Sequence, residues 1–373
     1  MNPCLLTAAA AIVPAADALP LPAPAVVLDI LLQLTFLLHL LAMNALVGSL
    51  MITLYARLRG PADAGRWTDL ADTLARVTPM LVAATVTLGV APLLFLQTLM
   101  GQFFFTSSIL MGWGWFSIVV VLIFAYYGTY LQSFRGPDLG RARTPLLAVT
   151  LLLFLWVGFM FANNTSLMAA VGSWAGKYFT DPRGLHLNLG DPTLAPRYLH
   201  AMIGAPAVAG LMLALWGTAR SERGDASGAA MRKTGLGAFT FLTAVNLGFG
   251  LWYLLALPRP VLRTFMGNDV AATVLLTVGV AGAVAMVVLG ALSLRPGSRL
   301  RLGTPVVVTL AVMAAMVAIR HLVRRAVLAE SYRPDTFAVQ PQNLNMMIFA
   351  VLLVAGLGVL VWMVRSLQKA WSA

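Results

Sequence analysis

Charge is scarce in this chain. Only 10% of its 373 residues are Asp, Glu, Lys or Arg, 60% are hydrophobic, and the mean hydropathy is +0.86. A water-soluble fold of this length needs far more charge to cover its surface. Cysteine is nearly missing: Cys4 stands alone, which excludes an internal disulfide framework and any Cys-rich metal or iron–sulfur centre. Acid is scarcer than base, 13 residues against 25, so the formal net charge is +12. Such an excess raises nucleic acid as a partner. Here the charges fall in short stretches between long apolar runs, where the positive-inside rule expects them, and nucleic-acid binding is set aside. Residues 1–25 contain no Lys or Arg, so the basic start of a signal peptide is missing. This Ala- and Pro-rich stretch reads as a lead-in on the outer side.

What is present is about nine apolar runs of bilayer-spanning length. They fall at 26–55, 77–100, 109–132, 145–168, 198–219, 234–257, 270–294, 304–323 and 345–364, each bounded by Pro, Gly or charge. The fold class is therefore all-α, a polytopic transmembrane helix bundle, with residues 26–373 as one domain. Sixteen Lys and Arg lie on the side reached after the first span and nine on the other. The richer side is expected to be cytoplasmic, with the N-terminus outside and the C-terminus inside. No internal repeat is evident, which gives an inverted-repeat transporter no support.

An ionisable or ligating side chain inside a span is costly and marks a candidate functional position. There are four histidines. His39 lies inside span one, His200 opens span five and His321 closes span eight, all biased to the outer leaflet under this orientation. Three imidazoles on three helices of a bundle are what axial ligation of buried haem requires. The alternative is that each bonds a neighbour across a helix interface. Zinc is less favoured, because none has an acidic or second His partner at i+3 or i+4. His186 sits in a polar loop and reads as solvated. Arg197 precedes His200 by three residues, and Arg320, Arg324 and Arg325 flank His321, Arg324 one turn away. Such arginines suit haem propionates, which guanidinium binds bidentately; snorkelling at a span end is the alternative.

These positions carry a family resemblance. Trp156-Val-Gly-Phe-Met-Phe-Ala-Asn-Asn-Thr-Ser-Leu-Met168 resembles the end of the fourth span in subunit I of cytochrome bd-type quinol oxidases, where an Asn-Ser-Trp-Met-Gln signature precedes an outer loop. Asp191-Pro-Thr-Leu-Ala-Pro-Arg-Tyr-Leu-His200 resembles that family's Asn-Pro…Arg-Phe-x-His entry to span five. Gly89-Val90, Gly101 and 103–111 are similar to its second span and following loop. The likeness covers residues 26–219, and nine spans with the N-terminus outside agree with it.

The resemblance implies haem b, two or more copies, with His39, His200 and His321 as iron ligands and Met266 as the nearest partner for the low-spin haem. Met286 lies deeper in span seven. It places Arg197 and Arg324 beside the cofactor. It further implies quinol or quinone as substrate, respiratory electron transfer in a bacterial inner membrane, contact with the quinone pool, and a small membrane subunit or a c-type cytochrome as companion. The chain departs from the family at the oxygen site. Span three carries no acid where the family has two glutamates, Gln97 stands at a family glutamate, and the Gly-Arg-Gln-Pro-Trp signature after span eight is missing. The long quinol loop between spans six and seven is cut to 258–269. Electron transfer without oxygen reduction is the expectation, with a divergent quinol:oxygen oxidoreductase and a haem-free transporter or scaffold as alternatives.

Overall fold

The computed structural model describes residues 13–15, 19–59, 64–295, 298 and 300–370, without the side chains of 64–66, 364 and 367–370. Cys4 and most of the lead-in, 1–12 and 16–18, lie outside the described residues. Among the described residues nine helices are long and apolar enough to cross a membrane. They are α1 Ala25–Leu58, α2 Ala64–Leu110, α3 Gly112–Phe134, α4 Arg143–Ala169, α5 Leu194–Glu222, α6 Ala226–Ala256, α7 Val270–Leu294, α8 Gly303–Val327 and α9 Asn343–Ala370. Among the described residues there is no strand, only one isolated bridge between Leu21 and Val339.

The expected spans and the observed helices agree in number and order, with one correction. The second span does not stop at residue 100. The chain kinks at Met100 (φ −133°, ψ 36°) and stays helical to Leu110. The segment expected as a loop can coil because its polar side chains bond inside their own helix. Thr106 Oγ1 donates to Gln102 O at 2.7 Å and Ser108 Oγ to Phe104 O at 2.7 Å. The same back-bonding recurs in the spans, as at Thr35 to Leu31 O and Thr85 to Leu81 O, both 2.7 Å. In hydrocarbon a hydroxyl has no water to turn to, so the preceding turn's carbonyl takes its proton. Two of the starts are capped by side chains: Asp225 accepts from Ser227 N at 2.8 Å before α6, and Asp269 from Ala272 N at 2.9 Å before α7.

The helices α1 with α2, and α5 with α6, form the two most extensive antiparallel pairs. Small residues let the second pair close. Gly210 faces Gly235 and Gly217 faces Gly228, seven residues apart on each helix. A Cβ on Gly235 would stand 2.4 Å from Gly210 O, and one on Gly217 2.5 Å from Arg232 N. Gly48 likewise brings α1 against Ala205 of α5. Without a hydrophobic force between helices in lipid, this backbone approach is what dispersion needs to hold them. At the end where α1 begins, Leu28, Phe103, Met160 and Trp174 fill a buried cluster under the connections at that end.

Gly235→Val is expected to lower the thermal unfolding midpoint in detergent, by the equivalent of about 1–3 kcal/mol or more for overpacking. Gly237→Val, where nothing lies within 4 Å of an added Cβ, is expected to leave it unchanged. Equal behaviour of the two would contradict this seam.

Candidate functional site

Between α1, α4 and the four helices α5–α8 lies a cavity of about 340 Å³, within the range of small-molecule and cofactor sites. Its walls are mostly apolar. The polar groups reaching it include His200, Asn246, Arg197, Arg320 and Arg324.

His200 is in the second turn of α5. The helix starts after Thr193, whose N–H and hydroxyl both donate to Asp191 Oδ1, at 2.8 and 2.9 Å. His200 Nδ1 lies 3.2 Å from Asn246 O of α6. A carbonyl only accepts, so Nδ1 carries the proton and Nε2 keeps a lone pair. Nε2 makes no hydrogen bond to any described residue. The ring rests on Gly250, where a Cβ would come 3.0 Å from His200 Cε1. Backbone acceptor and missing side chain together fix one imidazole pose against the cavity.

Three guanidiniums share that cavity. Arg197, one turn before His200, donates to Thr193 Oγ1 at 2.8 Å and lies 5.3 Å from the Tyr253 ring centroid. Its Nε and one terminal nitrogen are buried without a partner. Arg320 sits 4.2 Å over the Phe36 ring, and Arg324, four residues on along the same face of α8, has an orphaned buried Nε. None of the three is in an ion pair with a described carboxylate. Bare cations in an apolar cavity are unfavourable unless a counter-charge meets them.

Met286, Met313 and Met316 also line the cavity. Met266, expected as the partner methionine, does not. It lies in a wide turn at Thr264–Asn268, 55% exposed. His321 does not line the cavity either. Its neighbours Arg320 and Arg324 take that face of α8, and a residue one position along is rotated about 100° away. Its Nδ1 faces Asp29 Oδ1 of α1 at 3.7 Å instead. Of the residues singled out in the sequence, the cavity lining brings together His200, Arg197 and Arg324 and does not include Met266, His321 or His39. Arg320, Asn246 and Gly250 enter the site as cavity residues that the sequence did not single out as one group.

His39 lies outside the cavity lining, yet its setting repeats that of His200. His39 Nδ1 lies 2.9 Å from Thr85 O of α2, and a Cβ on Gly89 would come 2.9 Å from its ring. In both cases the carbonyl is 46 residues after the histidine and the glycine four further on. Shifted by 161 positions without a gap, 39–97 and 200–258 are identical at thirteen of 59 places. The chain thus carries an internal repeat, too diverged to be read before the contacts set its register. The copies differ where charge matters: the position of Arg197 is Phe36 in the first.

The loop before α5 is latched over the ends of α3 and α4. Asn188 N donates to Asn163 Oδ1 at 2.8 Å, Asn188 Nδ2 to Ser166 Oγ at 2.8 Å, and Ser166 bonds Asp191. His186 Nε2 lies 2.7 Å from Asp181 O. Hydrogen bonds from Arg183 hold the Asp181 carboxyl down at about 2, so that surface pair persists in mild acid. Among the described residues no group of three or more His, Cys, Asp or Glu could hold a bare metal ion.

No family model and no curated protein sequence matches the chain. A solved structure does, that of bd oxidase from Geobacillus thermodenitrificans, with a TM-score of 0.70 over 93% of this chain and 99% of that one. The fold resembles that of a bd oxidase chain. Identity is 14%, so the likeness to bd oxidase extends to helix arrangement nearly end to end and not to side chains.

Arg197→Met is expected to leave the thermal midpoint of cofactor-free protein unchanged or raised, because it removes an uncompensated buried cation. A clear fall would show that Arg197 is already neutralised within the fold.

Proposed function

We propose that this chain is a membrane b-type cytochrome subunit in quinol-linked electron transfer, with a role like that of a quinol oxidase subunit. The observation that carries the reading is His200, held in one tautomer at the wall of a cavity that also receives three unpaired arginines. The residues present fit haem b on three counts. Nε2 of His200 has a free lone pair and a pinned ring, as a haem-ligating histidine needs. The guanidiniums of Arg197, Arg320 and Arg324 supply the charge that two propionates require. Met286 and Met313, both buried in the cavity wall, offer thioethers in place of Met266. The repeat supports His39 as a second ligand of the same kind.

Haem b, when bound, supplies a one-electron iron couple. The chain's own share is axial ligation, exclusion of water and placement of positive charge. The charge bias favours an outer-leaflet site in a multi-pass inner-membrane protein, which would exchange electrons with the quinone pool. A small membrane subunit or a c-type cytochrome fits as partner.

The likeness to an oxidase raises oxygen reduction as a second reading. The acid-free α3 speaks against it, since proton delivery into a membrane needs titratable groups.

A reduced-minus-oxidised optical spectrum of the purified protein tests the proposal. Haem b absorbance is expected, lost in His200→Ala and diminished in Gly250→Val, whose added side chain displaces the ring. Absence of b-type absorbance, or a spectrum unchanged in His200→Ala, would contradict it. Quinol-dependent, cyanide-insensitive oxygen uptake would favour the second reading instead.

A further inference from the structure

Beside the cavity, at the end where α1 begins, four buried polar atoms have no hydrogen-bond partner: Asp29 Oδ1, His321 Nδ1, Tyr332 Oη and Arg324 Nε. They come from α1, α8 and the connection that follows α8. Asp29 is 6% exposed, His321 8% and Tyr332 5%, and Asp29 is the only buried carboxylate among the described residues. The His321–Asp29 separation of 3.7 Å is too long for a direct hydrogen bond. Orphaned groups gathered in one place call for water or a mobile proton between them.

The charges facing this cluster are few. On α8, Arg324 and Arg325 act on Asp29, and Arg320 with the same two acts on His321. From the connection comes Tyr332, whose phenol is pushed well above its usual range by burial, with the Asp29 charge second. Residues 21–22 and 338–342 close over the end of α1: Leu21 N donates to Ala338 O at 2.8 Å and Gln342 N to Pro22 O at 2.8 Å. Arg324 alone belongs to both cluster and cavity.

We propose that Asp29, His321 and Tyr332 form a proton-uptake site coupled to one-electron reduction in the cavity. The proposal rests on the haem reading above. In the oxidised protein Arg324, which acts on Asp29 across a gap without a direct ion pair, offsets part of the carboxylate charge. An electron delivered by quinol, or by dithionite in the test, adds a negative charge beside Arg324 and spends part of that balance. One proton from the outer side then binds between the Asp29 carboxylate and the His321 imidazole, with Tyr332 as its hydrogen-bond partner. Oxidation passes the electron to the acceptor and returns the proton to the same side. In a low-dielectric interior such a charge is felt strongly across a few ångströms.

The experiment is an optical potentiometric titration of the purified full-length protein over a pH series. With one proton taken up per electron, each tenfold fall in proton concentration lowers the midpoint by about 59 mV. That slope is expected in wild type over a limited pH window. Asp29→Asn is expected to flatten it while leaving the haem spectrum unchanged, and His321→Gln to do the same. A redox-difference infrared spectrum supplies an independent readout: a protonated carboxyl band that forms on reduction and is lost in Asp29→Asn. A pH-independent wild-type midpoint, or a slope kept by both variants, overturns the proposal and leaves the haem reading standing. Protein without a haem signal overturns both.

Discussion

A polar group inside a bilayer must find its partner within the protein, and nearly every feature of this chain follows from that constraint. Many threonine and serine hydroxyls turn back on their own helices, as at Thr35, Thr78 and Thr309. His39 and His200 each spend one ring nitrogen on a neighbouring helix's carbonyl. Asp225 and Asp269 close the first turns of α6 and α7. Against this background the exceptions among the described residues are unpartnered atoms of Arg197, Arg324, Thr243 and Asn246 on the cavity lining, of Asp29, His321 and Tyr332 beside it, and Nε of Arg57 and Arg143 away from it.

The internal repeat gives the exceptions on the cavity lining a history in physical terms. One device, a histidine held by a carbonyl 46 residues on and seated over a glycine, occurs in α1–α2 and again in α5–α6. It needs only close helix approach, a glycine and a free backbone oxygen, and so tolerates extensive substitution around it. What differs between copies is the surrounding charge. The second has Arg197 at its rim and borrows Arg320 and Arg324 from α8. The first has Phe36 at the matching place, which packs under Arg320. The shared geometry suits the same ligand chemistry, and under the proposed haem reading the charge difference would favour a carboxylate-bearing cofactor at the second copy.

Much of this was legible in the sequence. Long apolar runs specify spans almost independently of context, so number, order and class emerge directly. His200 and Arg197 were legible as a pair because three residues make one helical turn. The rest needed contacts. Which face of α8 meets the cavity depends on how α8 packs on α1 and α6, so the cavity takes Arg324 and leaves His321 to Asp29. Met266 looked near enough by position, but the wide turn at Thr264–Asn268 carries it to the surface. The repeat was hidden because lipid-facing positions interchange Leu, Val, Ala and Phe at little cost.

The central claim is that the cavity between α5 and α8 is built to hold a haem on His200. An experimental density map of the purified protein in lipid tests it most directly. The account predicts planar density bonded to His200 Nε2, with its carboxylates meeting Arg197 and Arg324. Lipid acyl chains filling that cavity, or a His200 ring turned to bond a protein neighbour through Nε2, would contradict it.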